Sequence, residues 1–316
     1  MKNILTLAMN PGIDKSSSIE NVIAERKLNC KPPRFEPGGG GVNVSRAIKK
    51  LGGESVLIYP TGGYTGNRLK DLLEDEEICH RPVPIVGTTR ESLVVLEEST
   101  GKQFRFGMPG PDLSNDEWEQ CLLDVSNICP KPDYLVVSGS LPPSVPLDFY
   151  ARVAYVMKED GVKVIVDTSG EALRQALKEG VYLIKPNYRE FQELVGQDMQ
   201  EESQIKAEAL RLIRSGRCEC LVISLGSAGA LLVSEDVVEH IRPPLVPIIS
   251  KVGAGDSMVA GIVLSLAREQ TLRNAVLFGI AAGAAAVMTP GTELCRREDA
   301  ERLFAGMLSD RNHHQS

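Results

Sequence analysis

The sequence predicts an α/β protein: a mostly parallel sheet with helices on both faces, plus a small β-sheet appendage. Three observations carry that prediction. Short β-branched runs alternate with amphipathic segments, two regions break the rhythm with strands alone, and glycine-rich turns fall where strands hand over to helices.

The strand candidates are residues 4–8, 55–59, 134–138, 163–167, 182–185, 220–224 and 230–233. Between many of them lie amphipathic stretches at 42–51, 67–76, 146–159, 170–179, 188–195 and 204–215. A repeated β-α-β order demands parallel pairing, because the crossover helix returns the chain to the same end of the sheet. Residues 13–36 and 89–108 differ: TRESLVVLEESTGKQFRFGM reads as two strands around a Ser-Thr-Gly turn with no helix between. These pieces are too short for a core of their own, and an appendage of this kind suits a lid that excludes water. After Val259 the chain turns helical and rich in small residues, and FGIAAGAAAVM permits close helix packing. We expect one domain over 1–310 with the lid inserted in two pieces, and a polar tail over 311–316.

A chain of 316 residues, 42% hydrophobic, can bury a large single core. Its net charge of −7 argues against nucleic acid or an anionic membrane as partner, so any phosphate site must be local. The N-terminal MKNILTLAMNPGID lacks the parts of a signal peptide, and no apolar run approaches the ~20 residues of a membrane span, so a cytoplasmic protein is expected. Cys30, Cys79, Cys121, Cys129, Cys218, Cys220 and Cys295 form no C-x-x-C pair, and His80, His240, His313 and His314 form no ligand motif. Reduced thiols and no structural zinc are expected.

SKVGAGDSMVAGIV, residues 250–263, is the most telling stretch. Gly253, Ala254 and Gly255 leave the backbone bare, and a helix starting near Asp256 would turn its unpaired N–H groups and positive dipole end toward a ligand. An anion fits there, beside a carboxylate that the same field keeps ionised. That pairing suits phosphoryl transfer with Asp256 taking the proton of an attacking hydroxyl. Taken alone, the stretch reads equally as a capped helix start after a turn.

Four further stretches gain meaning beside it. PGGGGVNVSRAIKKLGG, residues 37–53, sets four glycines before a helix that holds Asn43, a surface on which a polyhydroxylated ligand can lie; alone it is a flexible turn. KPNYRE, residues 185–190, puts Asn187 and Glu190 in capping-box register, a structural role in itself. SLGSAGALL, residues 224–232, reads as strand, glycine turn and strand, suited to a nucleotide or to a plain hairpin. NPGID ends the first strand in a carboxylate, Asp14, where open α/β sheets bind ligands.

In this order, NPGID, GGGGVN, KPNYRE, SLGSAGA and VGAGDSMVAG resemble the ribokinase-like sugar kinases of the PfkB family. FEPGGGGVNVSRAI, RFGMPG, VSGSLPP, VDTSGEAL and AAGAAAVMTPGTELC narrow the likeness to that family's bacterial 6-phosphofructokinase members, over residues of about 3–308. The resemblance implies a three-layer α/β/α domain, a β-sheet lid, a site between them, and a homodimer clasped through the lids that forms a tetramer with ATP. It implies ATP-dependent phosphorylation of fructose 6-phosphate at O1, with Mg²⁺ and K⁺.

Residue by residue, the resemblance implies Asp256 as base and Gly253, Ala254 and Gly255 as the anion hole for the moving phosphoryl group. Asp14, Gly39, Gly40, Gly41 and Asn43 would hold the sugar, Gly139 would line the cleft, and Arg90 on the lid would meet the substrate's own phosphate. Lys185, Asn187, Ser224, Gly226 and Gly229 would flank ATP, Glu190 would organise Mg²⁺ through water, and Ile248, Ile280 and Ala284 would pack on adenine. Carbonyls near Ser250, Val252, Ala286 and Gly291 would hold K⁺, and Lys27 and Arg189 mark a second, inhibitory ATP site. The chain departs from that pattern at Tyr188 and Arg189, where glutamine and lysine are expected, at Asn29 for an arginine, and at Thr289 and Glu293 for asparagine and arginine.

Other readings compete. 1-Phosphofructokinase and tagatose-6-phosphate kinase share the chemistry. A nicotinamide dehydrogenase would need a G-x-G-x-x-G turn after its first strand, and NPGID is followed by none. A sugar-phosphate sensor on the same fold would be expected to lose the base or the anion-hole glycines, and both are retained.

Overall fold

A computed structural model of the chain describes residues 1–312. Along the chain run β1 (Ile4–Leu7), β2 (Gly12–Ile19), β3 (Arg34–Gly38), α1 (Gly40–Lys50), β4 (Val56–Thr61), α2 (Gly63–Asp75), β5 (Cys79–Pro84), β6 (Arg90–Glu97) and β7 (Gln103–Phe106). Then come α3 (Asn115–Ser126), β8 (Tyr134–Ser138), α4 (Phe149–Glu159), β9 (Lys163–Asp167), α5 (Gly170–Ala176), β10 (Val181–Ile184), α6 (Tyr188–Val195) and α7 (Glu202–Arg214). The rest is β11 (Cys218–Ser224), β12 (Ala230–Ser234), β13 (Val238–Ile241), α8 (Ala254–Ala267), α9 (Leu272–Val287) and α10 (Arg297–Asn312).

The main sheet runs β13-β12-β11-β10-β9-β8-β1-β4-β5 and is parallel from β11 to β5, with β12 and β13 antiparallel at one edge. Alternation along its strands builds two cores. Leu135 and Val137 of β8 and Val164 and Val166 of β9 face the layer with α3 to α7, while Val136 and Ile165 face α1, α8 and α9. Both faces are therefore dry, which is why these strands read as continuous apolar runs.

A second sheet, ordered β3-β2-β6-β7, takes its strands from the two interrupting regions. β2 pairs with β6 in parallel, Gly12 opposite Arg90 and Asp14 opposite Ser92, and with β3 antiparallel, Asp14 opposite Glu36. Gly12, Asp14, Arg90, Ser92 and Glu36 thereby share one face.

The structure corrects three expectations. β5, β13 and α3 were not read from the sequence. Residues 311 and 312 belong to α10 and not to a tail, while 313–316, with His313 and His314, lie outside the described residues. Several boundaries move by a few residues, as where the helix expected from 146 starts at Phe149. Among the described residues, no helix is long and apolar enough to cross a membrane, and no group of three or more His, Cys, Asp or Glu side chains is set to hold a metal.

Candidate active site

The C-terminal ends of β8, β9, β10 and β11 and the N-terminal turns of α1, α6 and α8 enclose a cavity of about 400 Å³. Of the residues singled out in the sequence, Gly40, Gly139, Lys185, Asn187, Glu190, Ser224, Gly255 and Asp256 line it. Ser138, Ser140, Asp167, Thr168 and Ser169 join them without having been singled out.

α8 is the chemical centre. Its N-cap, Gly253, sits at φ 73°, in the left-handed region that glycine enters freely, and a Cβ there would come within 2.3 Å of Leu294. The helix begins at Ala254, two residues before Asp256, and its first internal bond runs from Ser257 N–H to Gly253 O. No side chain caps it, so the N–H groups of Gly253 through Asp256 precede the helical ladder as an anion-binding end. Asp256 faces the cleft from the first turn, and Asn43 Nδ2 donates to its Oδ2 at 2.9 Å.

Three groups set the charge of that carboxylate. Burial pushes the Asp256 pKa up to about 6, the nearby Asp167 carboxylate adds to the rise, and the Asn43 hydrogen bond and Lys185 oppose it. Lys185 Nζ stands 3.1 Å from Asp167 Oδ1, both side chains well buried. Burial alone would depress the Lys185 ammonium, but Asp167 beside it, then Asp256 and Glu190, hold it above the ordinary lysine value. Asp167 is itself raised by burial against the pull of Lys185. The site thus holds three carboxylates, Asp167, Glu190 and Asp256, and one ammonium, with the carboxylate at the helix terminus poised near neutrality.

The wall opposite is made by α1. A Cβ on Gly40 would fall 2.5 Å from Ser138 Oγ and 2.7 Å from Gly139 N, so only glycine lets the helix start this close to β8. Gly39 is the N-cap and its carbonyl accepts the Asn43 N–H at 2.8 Å, while Gly41 and Asn43 are buried in the first turn. Gly139 carries φ 99°; its N–H donates to Asp167 O, and its carbonyl accepts from Thr168 Oγ1 and Tyr150 Oη. Gly139 therefore contributes shape, its polar groups being already used. Ser138 Oγ is buried beside it without a hydrogen-bond partner.

The small sheet adjoins the site through Asp14, whose carboxylate acts on Asp256, although none of the sheet's residues lines the cavity. Burial raises the Asp14 carboxyl, against the attraction of Arg90, Arg46 and Arg105. Arg90, lowered by burial, spends its guanidinium within the protein: Nε and Nη2 donate to Asn10 O, and Nη1 to Ser92 Oγ and Met108 O.

On the other side, Asn187 caps α6, and the capping box is complete: Asn187 Oδ1 accepts the Glu190 N–H at 2.9 Å, and Glu190 Oε2 the Asn187 N–H at 2.8 Å. Both residues thus have the structural role as well as a place in the cavity. Gly226 and Gly229 form the tight turn between β11 and β12. Ile280 and Ala284 are buried on α9, and Ile248 is 59% exposed in the segment before α8. Ser250 and Gly291 meet through Ser250 Oγ, which donates to Gly291 O at 3.1 Å, and Val252 N–H donates back to Ser250 Oγ. The Ala286 carbonyl accepts from Thr289, whose Oγ1 donates to it at 2.8 Å and whose N–H does so at 3.2 Å. Lys27 is exposed between β2 and β3. Arg189 has an 87% exposed side chain paired with Glu193 along α6 and does not line the cavity.

Residues 7–299 match the pfkB family of carbohydrate kinases. ATP-dependent 6-phosphofructokinase isozyme 2 of Mycobacterium tuberculosis is 44% identical over 301 residues, covering 95% of this chain and 88% of the relative. The protein of the same name from Escherichia coli is 41% identical over 306 residues, covering 96% and 99%. Crystal structures of Escherichia coli phosphofructokinase-2 superpose closely: the complex with potassium with a TM-score of 0.93 at 40% identity, and the complex with fructose-6-phosphate with 0.92 at 39%, each covering 98% of this chain and 100% of the other. A tetrameric inhibited form of that enzyme gives 0.92 at 40%, with the same coverage. The chain belongs to the pfkB family of carbohydrate kinases.

Proposed function

We propose that this protein transfers the γ-phosphoryl group of ATP to O1 of fructose 6-phosphate, giving fructose 1,6-bisphosphate and ADP. One observation carries the reading: the Asp256 carboxylate, poised near pH 6, stands in the first turn of a helix whose leading N–H groups face the same cleft. Asp256 accepts the proton of the attacking hydroxyl, while the N–H groups of Gly253, Ala254 and Gly255 receive the charge of the passing phosphoryl group. Asn43 fixes the carboxylate; Asp14, Gly39, Gly40 and Gly41 bound the sugar from the lid and α1, and Gly139 closes the floor. Arg90 meets the sugar's phosphate by exchanging part of its hold on Asn10 O and Met108 O.

Lys185, Asn187, Ser224, Gly226 and Gly229 line the path of the nucleotide, with Ile248, Ile280 and Ala284 toward the adenine. The donor set fits a Mg²⁺ that arrives on the nucleotide, since Glu190 has one oxygen committed to the cap and no metal cage stands among the described residues. Glu190 would hold it through water, and the ion would neutralise phosphate charge. Carbonyls near Ser250, Val252, Ala286 and Gly291 would hold a K⁺ next to the anion-hole loop, where the Gly291 and Ala286 oxygens now accept from Ser250 Oγ and Thr289 Oγ1.

The relatives' tetrameric inhibited form motivates a homodimer through the lids that pairs with ATP, with Lys27 the retained member of the second nucleotide site. Arg189, committed to Glu193, is its weaker member. Its proposed substrates, ATP and a sugar phosphate, support a cytoplasmic protein. kcat/KM with fructose 6-phosphate, fructose 1-phosphate and tagatose 6-phosphate at fixed Mg-ATP tests the substrate choice. A preference for fructose 1-phosphate above about tenfold, roughly 1.4 kcal/mol in the transition state, overturns it.

A further inference from the structure

Arg46 is 1% exposed, yet it does not line the cleft. Its partners come from three other places in the chain and from one turn back in its own helix. Nε and Nη2 grip both oxygens of Glu76, just beyond α2, at 2.7 and 2.6 Å. Nη1 donates to Pro37 O in β3 at 2.8 Å, to Thr292 O at 3.2 Å, and faces Asn43 Oδ1 at 3.5 Å. Glu36 Oε1 lies 3.9 Å from Nη2, and Glu36 Oε2 accepts Thr292 Oγ1 at 2.7 Å. Only a planar fork of five donors can span such a set.

The contact with Asn43 has chemical direction. An amide has a donating and an accepting end, and a carboxylate can take a hydrogen bond only from the donating one. With its oxygen turned toward Arg46, Asn43 presents its NH₂ to Asp256. We propose that Arg46 is a positioning residue: it orients the amide that holds Asp256, and it fastens lid strand β3 and the turn around Thr292 to that same point. This rests on reading Asp256 as the base. The charged groups facing Asp256 are Asp167 and Lys185 from the sheet and Asp14 from the lid, so losing the Asn43 donor leaves the carboxylate to burial and its acidic neighbours.

The test is the pH profile of kcat, with KM for each substrate. Arg46→Met combined with Glu76→Met removes Arg46 together with its bidentate partner and strands neither charge. The acid limb should move up by about one pH unit, and KM for fructose 6-phosphate should rise about tenfold while that for ATP stays within about twofold. Glu76→Gln, which keeps Arg46 on Pro37, Asn43 and Thr292, should leave the limb where it is. An unmoved limb in the double variant, or an equal move in Glu76→Gln, overturns the proposal. If the double variant does not fold, Arg46→Lys serves: a single ammonium cannot span the three contacts, and an unmoved limb refutes the idea equally. Asp256→Asn separates the two readings. A variant that keeps wild-type kcat sinks the base assignment, whereas an inactive one beside an unmoved limb sinks only the role of Arg46.

Discussion

Replacing Asp256 by Asn should inactivate this protein and stabilise it at the same time. Burial raises the carboxyl from 3.8 to about 6, with Asp167 adding repulsion, so near pH 7 about nine-tenths of the molecules carry the ionised base. A folded-state pKa above the unfolded one means that the native state keeps a proton the unfolded chain has released. The stability this group contributes is therefore fully present below pH 4 and is lost as pH rises through 6. The loss reaches at most ~3 kcal/mol, and ~1–2 kcal/mol is the better figure because Asp256 remains partly open to the cleft. An amide oxygen at 256 can still accept the Asn43 donor. The variant should thus melt a few degrees higher than wild type at pH 8 and at the same temperature at pH 4. Its kcat should fall by about 10²–10⁴-fold, with sugar-phosphate affinity nearly unchanged. Paired melting curves at the two pH values, with coupled ADP release for turnover, measure both effects. A variant that melts lower at pH 8, or turns over within about tenfold of wild type, refutes the account of this carboxylate.

Three more outcomes follow from the geometry. On the proposed role of Arg90, Arg90→Ala removes a charged contact worth ~1.5–3 kcal/mol and should raise KM for fructose 6-phosphate about ten- to a hundredfold, with little change for ATP; equal rises in steady-state titrations would point to a damaged fold. Gly40→Ala drives a methyl group to 2.5 Å from Ser138 Oγ and should cost ~1–3 kcal/mol in denaturant melts along with most activity, and wild-type behaviour would mean that α1 starts farther from β8. Lys185→Met leaves Asp167 buried without its counter-ion, for a loss of ~3–5 kcal/mol that Lys185→Met with Asp167→Asn should partly recover. No recovery in the thermal melt would place the cost elsewhere.

The parallel core was legible because its strands are dry on both faces: β8 and β9 stand where unbroken apolar runs predict them, and α6 begins at the capping residue Asn187. β5 was not, since CHRPVP carries two prolines and lies at the sheet's edge, where the ladder tolerates them. α3 was missed although Ser114 and Glu117 spell out its capping box, because its exposed polar majority hides the buried Trp118, Cys121 and Val125. At the site, motif spacing led to Asp256, Asn43 and the glycines. Asp167 escaped notice because its meaning comes from Lys185 on the neighbouring strand, and sheet register is not written in VDTSG. Arg46 escaped for a similar reason: one cation in an amphipathic helix reads as solvent-facing until its distant acceptors are known.

The parallel pairing of β2 with β6 has a kinetic consequence. Antiparallel neighbours β2 and β3, and likewise β6 and β7, can zip as soon as both members emerge, but the β2–β6 pair must wait until β3, α1, β4, α2 and β5 have been made. Closing so long a loop is slow, and its entropic cost falls before any contact rewards it. A nascent chain therefore completes the Asp256 corner after the small sheet, as synthesis reaches α8, and the whole cleft arises only once the two distant halves of the sequence have met.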